Sequence, residues 1–332
     1  MTEVDRLTLM DSEIDEIDGL LTEVAARHGA IDDTDFLLEA EKLAHGLPLR
    51  LRAFLATCRT LERPLFLVEG WPVGDTALGP TPRDWQAAWQ HVGSSRANSN
   101  LRHQMLLVLV ASLVGDPFAL SSAQAGHLVN HIVPVAGTET YVSATSSTEE
   151  LTWHTEEAGF RFRPDHLAFV CLRNPQQVPT TIGLVGDLVL DPGIEEVLRQ
   201  PLFGMPQVGA EGRVEYAPVL YGTKDRPYLS ADSVYMTPAP GDGAAAEALA
   251  VLSAAVDTAL RPFVARPGDM YFLDNHQAVH GRPAFLPRYD GTDRWLLRVK
   301  IGRDLRASRA YRSGAGARVI VFDRLGCPES VG

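Results

Sequence analysis

The sequence Leu151-Thr152-Trp153-His154-Thr155-Glu156-Glu157 places a histidine and a glutamate two positions apart, directly after residues that alternate between apolar and polar. Side chains two positions apart in a β-strand point to the same face, so His154 and Glu156 can bind one metal ion. The pair is weak evidence alone, because 10 histidines and 42 acidic residues in 332 positions predict roughly one such pair by chance. Leu151 and Trp153 mark the end of an expected strand, and this context strengthens the prediction.

The remaining ligand is expected from a second stretch, Asp274-Asn275-His276-Gln277-Ala278-Val279-His280-Gly281-Arg282. His280 is the best candidate because it follows a turn, a short apolar strand and another turn over 268–275. His276 is the alternative, although its amide neighbours are typical of a solvated loop, and His280 can instead be a structural histidine. Two histidines and a carboxylate leave up to three octahedral positions open, as in non-haem Fe(II) sites. A zinc hydrolase needs only one open position.

Two arginines downstream add positive charge beside the expected metal site. A turn over 287–291 separates His280 from Arg294, so a hairpin would return Arg294 beside the histidine strand. There its guanidinium can hold a carboxylate through two hydrogen bonds. Arg298 is expected on the same strand face and can hold a second carboxylate. The alternative is that both arginines are ordinary surface charges.

Composition and charge exclude several classes of partner. The net charge of −12 disfavours nucleic acid and anionic membranes, because binding to a polyanion relies on a positive surface. The longest apolar run, 105–114, is too short to cross a bilayer, and the first residues do not resemble a signal peptide. Cys58, Cys171 and Cys327 are too few and too scattered for a disulfide framework, which favours a reducing cytoplasm. The oligomeric state is left open.

The distribution of patterns along the chain predicts a mainly β fold with flanking helices. Residues 1–120 are expected to be mainly helical, with an apolar stripe at helical spacing over 12–28. From about residue 132, short β-branched and aromatic runs alternate with turns, interrupted by one alanine-rich helix near 243–261. Many short strands predict a barrel or double-sheet jelly roll. The absence of a convincing linker predicts one domain, 1–332, with its β core over 121–325.

These residues resemble the clavaminate synthase-like branch of the Fe(II)/2-oxoglutarate-dependent oxygenases, especially its hydroxylases of asparagine, arginine or lysine. The resemblance extends from about residue 126 to 308 and is strongest in two blocks, 146–181 and 267–298. It implies a double-stranded β-helix (jelly-roll) core with helices packed outside. It also implies that His154, Glu156 and His280 bind the iron, since glutamate in place of the commoner aspartate is typical of this branch.

The resemblance implies roles for residues beyond the metal ligands. Arg294, helped by Thr180, is expected to anchor the C5 carboxylate of 2-oxoglutarate, and Arg298 the α-carboxylate of the substrate. The implied contacts to the rest of the substrate come from three positions: Gln124, Ser143 and Asp232. Gln124 and the segment that begins at Ser143 would hold the backbone-like atoms, while Asp232 would bind a polar or cationic side chain. The alternative for Asp232 is a loop aspartate that caps a turn. Valine at position 234 stands where a second acid is expected in arginine-type relatives, which argues against arginine and leaves lysine, asparagine, citrulline or an unusual amino acid as substrates.

The implied reaction is hydroxylation of an unactivated C–H bond, typically at C3, of a free polar or basic L-amino acid. Fe(II) is the implied metal, and 2-oxoglutarate and O2 are the cosubstrates, with succinate and CO2 as coproducts. A cytoplasmic enzyme of secondary metabolism is expected. Desaturation, ring formation or an amino acid carried on a protein are alternatives with the same cofactors. A zinc hydrolase or a binding module is the alternative of another class, and Arg294 argues against it because only 2-oxoglutarate requires that cation.

Overall fold

The computed structural model describes residues 4–92, 99–141, 143–206 and 214–321. Cys327 and part of the glycine-rich stretch 204–226 lie outside these residues. The helices are α1 (Asp11–Arg27), α2 (Thr34–Ala44), α3 (Leu49–Thr60), α4 (Asp75–Leu78), α5 (Trp85–Val92), α6 (Ser99–Val114), α7 (Pro192–Leu198) and α8 (Gly243–Ala259). The strands are β1 (Asp5–Thr8), β2 (Leu65–Glu69), β3 (Asp116–Leu120), β4 (Val129–Ile132), β5 (Leu151–His154), β6 (His166–Arg173), β7 (Thr180–Leu184), β8 (Phe203–Pro206), β9 (Val214–Ala217), β10 (Leu220–Gly222), β11 (Pro227–Leu229), β12 (Thr237–Pro238), β13 (Arg261–Phe263), β14 (Met270–Asp274), β15 (Ala278–Arg282), β16 (Trp295–Gly302) and β17 (Val319–Ile320).

Two sheets form the centre of the fold. The larger sheet has eight strands in the order β1–β2–β14–β6–β16–β3–β17, with β4 paired to β16. The smaller sheet has four antiparallel strands in the order β13–β7–β15–β5. Strands β1, β2 and β3 precede residue 121, so the larger sheet draws on both parts of the chain.

Alternate residues of the larger sheet face two different apolar cores. In β16, Trp295, Leu297 and Val299 pack with α1, α2, α3 and α6 on the outer face. Leu296 points the other way, into a core that the larger sheet shares with Ile182 and Leu184 of β7. The period of two in sequence therefore separates the helical side of the sheet from the space between the sheets.

The helices cover the outer faces of the two sheets. Helix α6 is buried from Met105 to Ala111 and lies against α1, α2, α3 and the larger sheet, as its apolar sequence predicts. Helices α7 and α8 cover the smaller sheet, where Trp153 and Val279 join their core. The predicted sheet-rich fold with flanking helices is confirmed. In the described part of the chain, no helix combines the length and the apolar character that a bilayer crossing requires.

The sequence patterns located most helices within a few residues. The apolar stripe over 12–28 corresponds to α1, and the alanine-rich stretch corresponds to α8, which ends at Ala259 rather than at 261. Strand β1 was missed because only four residues pair, in parallel with β2, and its one buried residue, Leu7, gives no alternation. Pairing with a neighbouring strand, rather than local pattern, makes this segment extended.

Candidate active site

Three potential metal ligands converge between the two sheets. Nε2 of His154 and Nε2 of His280 each lie 3.8 Å from Oε2 of Glu156. The ligand atoms of the three residues all lie within 4.8 Å of one another. Two ligands at about 2.1 Å from one ion are at most about 4.2 Å apart, so the two measured separations fit a shared ion. The donor set, two imidazoles and one carboxylate, fits Fe(II) with open coordination positions.

Strand pairing brings the two histidines together. His154 ends β5 and His280 lies in the middle of β15, where the two residues are directly paired partners of antiparallel strands. Their neighbours Trp153 and Val279 face the outer core, so both imidazoles face the space between the sheets. Glu156 lies just beyond the end of β5 rather than within it. Glu156 still converges with the two histidines, since its Oε2 lies 3.8 Å from Nε2 of each.

Hydrogen bonds from neighbouring residues fix the ligand orientations. Nδ1 of His154 lies 3.0 Å from the carbonyl oxygen of Thr152, which leaves Nε2 free to bind a metal. The side chain of Asn275 accepts a hydrogen bond from the backbone N–H of Glu156 at 2.8 Å and donates one to its carbonyl oxygen at 3.0 Å. Sequence reasoning missed Asn275, because nothing in a single sequence links an asparagine to a glutamate so far upstream.

The protonation states of Glu156 and His280 suit metal binding. Burial raises the pKa of Glu156, but the charges of Arg298 and Lys300 outweigh this effect and hold the pKa well below its ordinary value. Burial, followed by the charge of His154, lowers the pKa of His280 to about 3. Burial lowers the pKa of His154, and Glu156 more than offsets this, so its pKa is raised. Glu156 is therefore ionised and His280 neutral near neutral pH, as ligands must be.

Strand β16 and the residue before it carry a row of cations into the same space. Arg294, Arg298 and Lys300 occupy positions of the same parity, opposite to the side chains of the helical core. All three are largely buried. Lys300 was missed by sequence reasoning, since a lysine in a strand is more often a surface residue. Its even spacing from Arg294 and Arg298 was the available signal.

Arg294 is a buried cation beside the metal-ligand cluster. Its Nη2 donates to Oγ1 of Thr180 at 3.3 Å, and Thr180 in turn lies 3.4 Å from the hydroxyl of Tyr271. Among the described residues, no carboxylate pairs with Arg294, and its Nε has no hydrogen-bond partner. A guanidinium that is removed from water and lacks a counter-ion is a ready site for a carboxylate. The structure thus brings Arg294 and Thr180 together as expected.

Arg298 contacts the metal-ligand cluster directly. Its Nη1 donates to Oε2 of Glu156 at 2.8 Å, and its Nη2 lies 3.4 Å from Oδ1 of Asn130. The sequence predicted a contact of Arg298 with the substrate α-carboxylate, and the contact with Glu156 was not predicted. The contact with Glu156 adds a second role, because the same guanidinium also orients a potential metal ligand.

A cavity of about 330 Å³ joins these groups. It is lined by the three potential ligands together with Ser143, Thr180, Asp232, Arg294 and Arg298. The carboxylate of Asp232 accepts hydrogen bonds from the backbone N–H groups of Val234 and Tyr235 through Oδ1. Its other oxygen has no partner among the described residues. The cavity has the size of a small-molecule site.

Two residues considered from the sequence do not line this cavity. The amide of Gln124 is bonded to the backbone of His131 at both its ends, at 2.8 and 2.9 Å. His276 bonds Asp165 through Nε2 at 2.8 Å and the hydroxyl of Tyr221 through Nδ1. His276 is therefore engaged away from the metal-ligand cluster, which leaves His280 as the second histidine of that cluster.

Comparison with known proteins relates this geometry to a family of enzymes. The chain is 36% identical to an enduracididine β-hydroxylase of Streptomyces hygroscopicus, over 95% of this chain and 99% of that one. It is 32% identical to an L-ornithine/L-arginine 3-hydroxylase of Catenulispora acidiphila, over 95% and 99%. It is 30% identical to clavaminate synthase 2 of Streptomyces clavuligerus, over 90% of each chain. No family model matches the sequence.

A solved structure agrees with these similarities. The non-heme iron oxygenase OrfP, in complex with Fe and alpha-ketoglutaric acid, superposes with a TM-score of 0.86 at 34% identity, covering 95% of this chain and 99% of that one. The predicted enzyme class, with Fe(II) as its metal and 2-oxoglutarate as its cosubstrate, is confirmed. With its His-Glu-His cluster and its buried arginine in one cavity, the chain belongs to the clavaminate synthase-like family of Fe(II)/2-oxoglutarate-dependent oxygenases.

Proposed function

We propose that the protein hydroxylates an unactivated C–H bond, at C3, of a free polar or basic L-amino acid, and converts 2-oxoglutarate to succinate and CO2. The observation that carries this proposal is the pairing of the His-Glu-His cluster with Arg294 in one cavity. A metal site for hydrolysis has no use for a buried guanidinium that pairs with no acid. A 2-oxo acid that chelates the metal and extends a second carboxylate requires such a group.

His154, Glu156 and His280 would hold Fe(II), which supplies the activation of O2 once 2-oxoglutarate is bound. Arg294 and Thr180 would bind the distal carboxylate of 2-oxoglutarate. Both are buried, so water does not compete for these contacts. Their task is to fix the cosubstrate in one orientation, and the apolar residues between the sheets exclude water from the reaction.

The substrate end of the cavity favours an amino acid with a polar or cationic side chain. Arg298 would bind the α-carboxylate with one edge of its guanidinium, and Ser143 would contact atoms near it. Asp232 supplies a negative group to the side chain, while Val234 beside it is apolar. Relatives named for enduracididine and for ornithine or arginine support a basic side chain. Valine at position 234 supports a basic substrate side chain whose distal group pairs with a single acid. Gln124 would act through the backbone of His131 rather than by direct contact.

The proposed function also fits the architecture of the chain. The two sheets that enclose the cavity would form a double-stranded β-helix, the jelly-roll core implied by the sequence. The chain would be one domain, 1–332, in which 1–120 supports the core 121–325 and α8 is an insertion. The buried, free thiols of Cys58 and Cys171 favour a reducing cytoplasm as its place of action.

Succinate formation across a panel of free L-amino acids tests the proposal. Protein loaded with Fe(II) without oxygen is mixed with 2-oxoglutarate and air, with each amino acid in turn, and the His154→Ala variant serves as the control. Strong stimulation by one basic or polar amino acid, with the mass of the product raised by one oxygen, is expected. Slow succinate release that no amino acid stimulates would indicate a modified or carrier-bound substrate. No succinate at all would contradict the oxygenase activity.

A further inference from the structure

Lys300 is buried directly behind the potential metal ligand Glu156. Its Nζ lies 2.9 Å from Oε1 of Glu156 and 3.5 Å from Oε1 of Glu157, and the residue is only 3% exposed. Unlike Arg294 and Arg298, Lys300 is not among the residues that line the cavity. Lys300 therefore contacts the carboxylate of Glu156 from outside the cavity, where a substrate or 2-oxoglutarate does not reach it.

The two oxygens of Glu156 have different surroundings. Oε2 lies 3.8 Å from Nε2 of both histidines and accepts the hydrogen bond of Arg298. Oε1 is engaged by the ammonium group of Lys300. Oε2 is thus the oxygen that approaches both histidine nitrogens, and Oε1 is the oxygen that a buried cation holds.

We propose that Lys300 is a positioning residue that confines Glu156 to binding the metal through Oε2 alone. The inference rests on the proposed metal site and adds to it a residue that touches neither metal nor substrate. A carboxylate that binds with both oxygens takes two coordination positions. Held by one oxygen, it leaves three positions for the two donor atoms of 2-oxoglutarate and for O2.

A second metal contact by Glu156 would move Oε1 relative to Lys300. For Oε1 to turn toward the metal, the carboxylate would have to rotate out of the position in which the buried ammonium group contacts it at 2.9 Å. Removing one partner of a buried ion pair is strongly destabilising, because the other charge is left without compensation. Glu157 cannot replace that partner without moving, since its contact is the longer one. Lys300 therefore opposes a second metal contact by Glu156.

The test measures metal affinity rather than turnover, so its outcome is separate from that of the succinate assay. Co(II) binding to metal-free protein is followed by calorimetry for the wild type, Lys300→Met, Lys300→Arg and the control Lys224→Met. Lys224 also pairs with a glutamate, but its side chain is 77% exposed. Thermal unfolding of the metal-free variants reports whether each is folded.

Lys300→Met is expected to weaken Co(II) binding by about 10- to 100-fold, as is usual when the partner of a metal ligand is removed. The visible absorption of bound Co(II) should change as well. Lys300→Arg should recover part of the affinity, and Lys224→Met should bind as the wild type does. Unchanged Co(II) affinity together with unchanged visible absorption of bound Co(II) in Lys300→Met would overturn the proposal, because Lys300 would then have no part in how Glu156 binds the metal.

A second measurement does not depend on any variant folding. X-ray absorption of Co(II)-loaded wild type reveals the short metal-to-carbon distance that arises only when a carboxylate binds through both oxygens. We expect this distance to be absent, and its presence would overturn the positioning role. A wild type that binds no Co(II) would remove the metal site together with the role of Lys300. Co(II) binding through one oxygen of Glu156, without succinate formation by the Fe(II)-loaded protein, would contradict the proposed reaction alone.

Discussion

Nη1 of Arg298 lies 2.8 Å from Oε2 of Glu156, although the two residues are 142 positions apart in the sequence. The contact joins the proposed substrate-carboxylate site to the metal-ligand cluster through a single guanidinium. A carboxylate oxygen has two lone pairs, so Oε2 can accept this hydrogen bond and still bind a metal. Replacing Arg298 should therefore affect both the proposed substrate-carboxylate site and the metal-ligand cluster, whereas replacing Arg294 should affect only the 2-oxoglutarate site.

Arg294→Met is expected to raise the KM for 2-oxoglutarate and to leave Co(II) affinity unchanged. A hydrogen bond to a charged group contributes about 1.5–3 kcal/mol, which corresponds to an increase of roughly 10- to 150-fold. Steady-state kinetics with 2-oxoglutarate as the varied reactant measure it. Arg83→Met is the control, since its side chain is 83% exposed. A change confined to the KM for the amino acid would mean that Arg294 and Arg298 exchange roles.

Arg298→Met is expected to raise the KM for the amino acid and, separately, to weaken Co(II) binding. The first effect follows from the lost carboxylate contact, and the second from the lost orientation of Glu156, at about 10-fold or more. Kinetics and calorimetry on the same preparation measure the two effects. If Co(II) affinity stays the same while the amino-acid KM rises, the contact with Glu156 has no part in metal binding.

Asp232→Asn is expected to raise the KM for a cationic amino acid by about fivefold, because a partly exposed ion pair contributes at most about 1 kcal/mol. Asparagine keeps an oxygen that can accept from the N–H groups of Val234 and Tyr235, so the local turn should persist. Asp225→Asn, at an exposed position outside the cavity, is the matched control. Equal KM values for Asp232→Asn and the wild type would exclude Asp232 from side-chain binding.

Acidification is expected to destabilise the protein through its buried histidines. Burial, followed by the charge of His127, lowers the pKa of His131 to about 3 in the folded chain. The unfolded chain therefore takes up a proton below about pH 6.5 that the folded chain refuses until about pH 3, and stability falls across this window as pH falls. Above about pH 6.5, His131 makes no contribution to the change of stability with pH. Burial lowers the pKa of His103 to about 4, and that of His280 to about 3, in the same direction.

Denaturant unfolding between pH 4 and 7 tests this linkage with His131→Asn. Asparagine can still accept the hydrogen bond that Nε1 of Trp295 donates to His131 at 3.0 Å. The slope of unfolding free energy against pH should become shallower by up to about 1.4 kcal/mol per pH unit. The exposed His45→Asn should keep the wild-type slope. Parallel slopes for His131→Asn and the wild type would mean that His131 takes up its proton equally in both states.

Periodicity explains which parts of the site the sequence could predict. His154, His280 and Arg294 were found because strand alternation and the order of turns fix the face on which each side chain lies. Asn275 was missed because its contact with Glu156 joins distant residues, and one sequence does not reveal such contacts. Lys300 was missed although its spacing from Arg294 and Arg298 placed it on the same strand face. Gln124 shows a related limit, since motif position did not reveal that its amide is bonded to the backbone of His131.

The fold shows the same division between local and long-range causes. Helices α1 and α8 follow from apolar spacing within a single segment. Strand β1 has no such pattern and is extended because β2 lies beside it. The closure of the smaller sheet over the larger one depends on the shared core of Ile182, Leu184 and Leu296, which no local pattern specifies.

The parity of β16 limits how this protein can change. Inserting or deleting one residue after Arg294 would turn Arg298 and Lys300 toward α6 and bring Leu297 and Val299 between the sheets. The contacts that hold Glu156, the proposed contact of Arg298 with the substrate carboxylate and the packing of the apolar core would then be lost together. Length changes within this strand should therefore abolish function, and we expect new substrate preferences to arise by substitution within it or by remodelling the segments around Ser143 and Asp232.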